Sequence, residues 1–337
     1  MTQPSFSPAW WLPGPNLQTL WGKFMRPRLP LDLRLERLDT SDGDFLELYH
    51  LSGQADSPLL VLLHGLEGSL RSHYIHGLLE QASSRCWRAV VLLFRSCGES
   101  LNRTRRFYHS GETTDLGFTI DHLSSSYPDA QLFLAGVSLG GNVLLKYLGE
   151  RGDQVSPRIR AAAAVSVPYD LARAADHIDK GFAKVYQRSF IRSLQSKAIA
   201  KLDQFPDLVP RERIQSIRSM RDFDNSLTAP LHGFRDADDY YSKSSAIKWL
   251  HRIHVDTLML SAVDDPFLPS QVLDDVRSVA KQNPFLNLEF TPHGGHVGFV
   301  GGANPFQPIY YMEGRVGDFL AERLAGSSPV IHNRGNF

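Results

Sequence analysis

Apolar positions fall into two alternating patterns along the chain. Leu59 to His64, Ala89 to Phe94 and Leu132 to Gly136 are apolar at successive positions, as interior strands of a parallel sheet covered on both faces require. Comparable runs occur at Ile159 to Val167, Val255 to Ala262 and Leu286 to Thr291. Phe45 to Leu51 alternates instead, the pattern of a half-buried edge strand. Between the runs, Tyr74 to Arg85, Asp115 to Tyr127, Asn142 to Arg151 and Pro269 to Gln282 carry apolar residues three and four apart, which predicts helices. Strand and helix in alternation predict an α/β fold with a mostly parallel central sheet flanked by helices.

One interval breaks the rhythm. The 87 residues from Pro168 to His254 exceed what a crossover needs, and their helical spacing predicts an inserted helical cap over residues 169–250. The α/β core then comprises 41–168 and 251–325, with residues 1–40 as an arm packing on it and 326–337 as a frayed tail. Prolines in the arm are expected to break any helix there, so Trp10, Trp11 and Trp21 read as packing residues rather than a membrane anchor.

Charge narrows the function classes. Thirty-six Lys and Arg balance thirty-six Asp and Glu, so the footprint of a nucleic-acid or anionic-membrane binder is missing and a small-molecule substrate is expected. No stretch reaches the ~18 apolar residues of a membrane span, and the N-terminus lacks a basic, then apolar leader. Stable membrane insertion is therefore not expected. Cys86 and Cys97 are the two cysteines, too few for a disulfide framework, which points to a reducing, cytoplasmic setting. Oligomeric state stays open.

The chemistry centres on Gly136-Val137-Ser138-Leu139-Gly140, a G-x-S-x-G that follows a predicted strand and opens a predicted helix. Glycines two residues either side let strand and helix approach while the serine takes a strained backbone that projects its hydroxyl. A serine hydroxyl is a weak nucleophile and needs a histidine base oriented by a carboxylate. Asp264 and Asp265 lie just past one later strand, and His293 and His296 just past the next, in the order serine, acid, histidine. Asp265 is preferred because it precedes Pro266 as the loop leaves the strand. His296 is preferred because Gly294-Gly295 gives it a flexible loop. For the oxyanion, the Leu66 amide in His64-Gly65-Leu66-Glu67-Gly68 and the Leu139 amide are the expected donors. His73 and His76 are spaced for a helical pair but lack a carboxylate partner, so no metal and no cofactor is expected.

These residues, with "NLQTLWG", "HGLEGS", "FRSCGESLNR", "FYHSGETTDL", "GVSLGGN", "HGFRDADDYY", "DDPFLP" and "GGHVGF", resemble the YheT-like branch of the α/β-hydrolase superfamily, related to the mammalian ABHD1, ABHD2 and ABHD3 lipases and esterases. The resemblance covers nearly the whole chain. It implies Ser138 as nucleophile, Asp265 as acid and His296 as base, and hydrolysis of short-chain or acylglycerol-like carboxylic esters. One departure stands out: Ser96 occupies a position where relatives carry glycine, so a less strained or shifted backbone is expected there. His109 and Asp115 are expected to brace the following helix. Phe182, Tyr186, Phe190 and Ile191 in the cap suggest either an apolar acyl pocket or cap core. A thioesterase, an amidase or a cofactor-free perhydrolase would use the same triad, and an inert binding module would share the fold.

Overall fold

The apolar runs form an eight-stranded sheet in a computed structural model that describes residues 6–28 and 30–325. Its strands are β1 (Leu33–Asp39), β2 (Phe45–Leu51), β3 (Leu59–Leu63), β4 (Arg88–Leu93), β5 (Leu132–Val137), β6 (Ile159–Val165), β7 (Thr257–Ala262) and β8 (Leu286–Thr291), in the order β1-β2-β4-β3-β5-β6-β7-β8. From β4 through β8 all pairs are parallel, whereas β1 and β2 add antiparallel neighbours at one edge.

Two corrections follow at that edge. Phe45 to Leu51 is buried throughout and is not an edge strand; β1 covers it, pairing from Leu33 against Leu51 to Asp39 against Phe45. The sheet therefore begins within residues 1–40. The same segment also contains a helix, α1 (Pro15–Met25), despite its prolines. Pro15 occupies the first turn, where a missing N–H costs no hydrogen bond. Trp11 and Trp21 pack edge to face at 4.7 Å, while Trp10 is 79% exposed. The predicted frayed tail, 326–337, lies outside the described residues.

Alternation within the continuous runs divides them between two cores. Leu59, Val61, Leu63, Leu132 and Leu134 face one core with α3 (Thr114–Ser126), α4 (Leu139–Arg151) and α11 (Gln271–Ala280). Leu60, Leu62, Phe133, Ala135 and Val137 face the other with α2 (His73–Ser84) and α12 (Tyr311–Ala325). Both faces being covered is why these strands carry no polar alternation. A two-stranded ribbon, β9 (Val300–Gly301) with β10 (Ile309–Tyr310), precedes α12. Between β6 and β7 the chain forms helices: α5 (Leu171–Ile178), α6 (Ala183–Lys201), α7 (Arg211–Ser216), α8 (Met220–Phe223), a π-helical turn at Asp224–Thr228, α9 (Ala229–Leu231) and α10 (Ala237–Ser244). Ile191, Leu194, Ala198, Ile214, Ile217 and Leu227 form a further apolar core in this segment, which Phe107 joins from outside it.

Candidate active site

Ser138 stands between the end of β5 and the start of α4, with φ 55° and ψ −120°, a conformation that costs a non-glycine residue about 1–3 kcal/mol. The turn survives because its surroundings overdetermine it. The Ser138 N–H donates to the Val165 carbonyl at 2.8 Å. A Cβ on Gly136 would stand 2.4 Å from the Gly140 carbonyl oxygen, and one on Gly140 2.5 Å from that of His64. Both flanking glycines are thus required for close approach of backbone to backbone.

His296 Nε2 lies 3.0 Å from Ser138 Oγ, and His296 Nδ1 lies 2.7 Å from Asp265 Oδ2. An ionised carboxylate only accepts, so Nδ1 carries the proton and Nε2 is left to accept from the serine hydroxyl. The other Asp265 oxygen accepts the Phe267 N–H at 2.8 Å, which fixes the carboxylate plane. Asp265 and His296 are both buried, and the Phe267 ring stacks on the imidazole at 4.1 Å.

The two rival candidates do not reach Ser138. Asp264 instead pairs with His293 at 3.1 Å and accepts the Gly295 N–H at 2.9 Å. The histidine loop is also not the slack segment its glycines suggested. Gly294 and Gly295 have positive φ, as do Val297 and Phe299, and a Cβ on Gly295 would stand 2.4 Å from the Pro15 carbonyl. The His296 N–H donates to Thr19 Oγ1 at 2.9 Å, and the Val297 N–H to Ser166 Oγ at 3.1 Å. The glycines serve tight geometry. Thr19, from the N-terminal helix, is a positioning residue that the spacing of the triad does not reveal; its one sequence signal is its place in "NLQTLWG".

At the end of β3, the loop from His64 to Gly68 is held amide by amide. Burial keeps His64 neutral, pushing it down to about 4; its Nε2 accepts the Phe94 N–H at 3.1 Å, so Nδ1 donates to the Gly65 carbonyl at 2.7 Å. The Gly65 N–H donates to the Tyr74 hydroxyl at 2.9 Å, and the Glu67 N–H to the Tyr108 hydroxyl at 2.7 Å. The intervening Leu66 amide has no partner among the described residues. Glu67, at φ 54°, is further bound by Lys197 at 2.6 Å and Ser193 at 2.5 Å, both on α6. The loop beneath Leu66 is in this way tied to the inserted helices.

Beside Ser138 opens a cavity of about 490 Å³ whose walls include Leu66, Leu139, Ile178, Tyr186, Phe190 and Phe267. The four residues of the insertion singled out by spacing divide: Tyr186 and Phe190 face the cavity, Ile191 joins the core of the insertion, and Phe182 is 57% exposed.

The remaining candidates are structural. Arg95 is buried and bonds Asp115 through two nitrogens, at 2.8 and 2.7 Å, with Asp44 at 2.7 Å, so Asp115 does brace α3. Ser96 keeps a left-handed backbone, φ 63°, contrary to the relaxed turn expected there. Its hydroxyl explains this, donating to Asn102 Oδ1 and accepting the Asn102 N–H at 3.1 Å. Burial raises the Cys97 thiol to about 11, which removes it as a nucleophile. His109, Glu112 and His232 each bring a potential ligand atom within 4.8 Å of the others, but the Arg106 guanidinium is bonded to Glu112 and sets a cation where an ion would need that carboxylate.

Residues 58–303 match the family model described as the alpha/beta hydrolase fold. The chain belongs to the α/β-hydrolase family. Among curated relatives, this hydrolase is 39% identical to the YheT protein of Escherichia coli, over 93% of its own length and 92% of that protein's. It is 32% identical to phospholipase ABHD3 of Mus musculus, over 91% and 76%, and 30% identical to a monoacylglycerol lipase of Saccharomyces cerevisiae, over 74% and 56%. Among solved structures, the esterase Pf2001 of Pyrococcus furiosus superposes with a TM-score of 0.58 at 18% identity, over 88% of the hydrolase and 98% of the esterase. At that identity the likeness speaks to fold. No helix among the described residues is long and apolar enough to cross a membrane.

Proposed function

We propose that this α/β hydrolase is a serine carboxylesterase acting on short-chain or acylglycerol-like esters through an acyl-enzyme intermediate. The observation that carries the reading is the continuous chain from Asp265 Oδ2 through the imidazole of His296 to Ser138 Oγ, with contacts of 2.7 and 3.0 Å. Ser138 attacks the ester carbonyl while His296 Nε2 takes its proton, and Asp265 stabilises the imidazolium that forms. The amides of Leu66 and Leu139 hold the oxyanion: Leu66 is the loop amide left without a partner, and Leu139 is the first residue of α4, whose N–H has no acceptor within the helix. His296 returns the proton to the departing alcohol, then activates the water that releases the acid.

Residues 169–250 act as the cap that sizes the acyl pocket, a reading supported by Tyr186 and Phe190 on its wall. The names of the mouse phospholipase and the yeast lipase favour acyl esters of glycerol derivatives. A cytoplasmic setting is supported by two unpaired cysteines.

The test is turnover of p-nitrophenyl esters in an acyl-chain series from acetate to palmitate. The intact protein should hydrolyse them, and Ser138→Ala should lose several powers of ten in kcat with an unchanged fold. Equal rates for the two proteins would sink the assignment.

A further inference from the structure

The cavity beside Ser138 is chemically lopsided. Part of its wall is made by the buried residues Leu194, Phe223, Tyr240 and Tyr241, whereas Lys23, Arg28 and Arg71 line it from exposed positions. These cations reach the cavity wall from different places in the chain: Lys23 on α1, Arg28 just beyond it, and Arg71 in the loop between β3 and α2. Among the described residues, none of them has a carboxylate within ion-pair distance. Their neighbour Arg26 shows the contrast, being neutralised by Glu80 and Glu313.

Nor do the acids that line the cavity supply the missing charge in full. Glu67 is engaged by Lys197, and Asp224, bonded to the neutral hydroxyls of Thr228 at 2.6 Å and Tyr241 at 2.7 Å, sets one carboxylate against the three cations. In a chain with no net charge, the rim is a local positive excess beside an apolar interior. His73 also lines the cavity, and burial first, then Arg26, Arg28, His296 and Lys23, push it down to about 3. Uncompensated cations at a low-dielectric wall repel one another and concentrate anions.

We propose that this rim is a subsite for an anionic group, and that the preferred ester is a single-chain amphiphile whose polar end bears a phosphate. The acyl chain enters the apolar interior, the ester carbonyl lies at Ser138, and the phosphate exchanges water for Lys23, Arg28 and Arg71. The assignment of a substrate class rests on the carboxylesterase reading; the anion subsite does not.

Two substrates with the same acyl chain separate the cases, 1-octanoylglycerol and 1-octanoylglycerol 3-phosphate, dissolved below their aggregation concentrations. The phosphate ester should show kcat/KM on the order of tenfold higher, and the margin should collapse near 1 M salt, where the screening length is about 3 Å. Combining Lys23→Gln, Arg28→Gln and Arg71→Gln should lower the ratio of the two kcat/KM values by about tenfold. A ratio near one, or a ratio unmoved by the triple substitution, overturns the proposal. So does an effect of the substitutions confined to neutral ester presented on phosphatidylglycerol vesicles, which would mean that the cations dock a lipid surface. Calorimetric binding of both compounds to the Ser138→Ala protein keeps the two readings apart. Loss of the binding preference overturns the subsite whatever the turnover, whereas a preserved preference without turnover in the intact protein supports the subsite and overturns only the esterase reading.

Discussion

Replacing Tyr108 by Phe removes one oxygen atom and tests whether the Leu66 amide acts on the reaction. That hydroxyl accepts the Glu67 N–H at 2.7 Å and donates to Glu67 Oε1 at 2.8 Å. The ring itself should stay, stacked on Phe94 at 5.3 Å with planes 4° apart. Leaving the Glu67 amide without a partner costs about 1–3 kcal/mol. Glu67 also holds a left-handed backbone, worth a further ~1–3 kcal/mol of strain that the hydroxyl helps to restrain. A loop freed of that restraint relaxes, and the neighbouring Leu66 amide loses its aim. Complete loss of one oxyanion donor costs about 10²–10³ in kcat, so a partial loss should cost about 10- to 100-fold. KM should move less than about threefold, because a donor aimed at the oxyanion contributes mainly in the transition state. The assay is steady-state hydrolysis of p-nitrophenyl butyrate alongside thermal unfolding. A variant with a lower Tm but kcat within twofold of the parent would refute the reasoning, since the Tyr108 contact would then be structural only.

Asp265→Asn should lower kcat by about 10³–10⁴, as expected where an amide replaces the carboxylate that sets the histidine tautomer; a loss under tenfold in a stopped-flow assay would remove Asp265 from its role. Asp224 is buried, and desolvation raises its carboxyl to about 6 from 3.8 despite the Thr228 and Tyr241 hydroxyls. The folded state therefore binds more protons than the unfolded state between pH 4 and 6, so this group withdraws stability as pH rises through that window, by about 3 kcal/mol in all. Asp224→Asn should match the parent Tm near pH 4 and exceed it by pH 7; a Tm difference that does not change with pH would contradict this. At Ser96, glycine relieves the strain of φ 63° but loses the Asn102 contacts and should stay within about 1 kcal/mol of the parent, whereas alanine keeps the strain, loses the contacts and should cost about 1–3 kcal/mol in urea unfolding.

How much of this could be read from residues alone depends on how local each signal is. β3, β5 and β4 from Ala89 onward announce themselves because strands covered on both faces are apolar at successive positions. Ser138 is legible from the glycines that its turn demands, and Asp265 and His296 from chain order at strand ends. The edge is harder to read because the adjacent Glu36 and Arg37 interrupt the alternation of leucine with charged residues in Leu33 to Asp39, so the strand it covers looks outermost. The helix at Pro15–Met25 hides behind its prolines, because proline signals a break everywhere except in the first turn, where Pro15 stands. Most of what holds the site in place was invisible for a different reason. Thr19 acts on a loop 277 residues away, and Tyr108 on one 41 residues away, and an ordinary threonine or tyrosine leaves no pattern of its own at such distances. Ser96 shows the converse: a side chain can stabilise the left-handed turn for which glycine is the default.

The central claim is that Ser138 is the activated nucleophile of this hydrolase. A fluorophosphonate probe tests it directly, because phosphonylation requires the serine, its base and the oxyanion donors together. Incubation with the intact protein, digestion and mass spectrometry should place a stoichiometric adduct on the peptide that contains Ser138, with no adduct in Ser138→Ala and a much slower one in His296→Ala. A folded protein that takes up no probe, or carries it on another residue, would contradict the account.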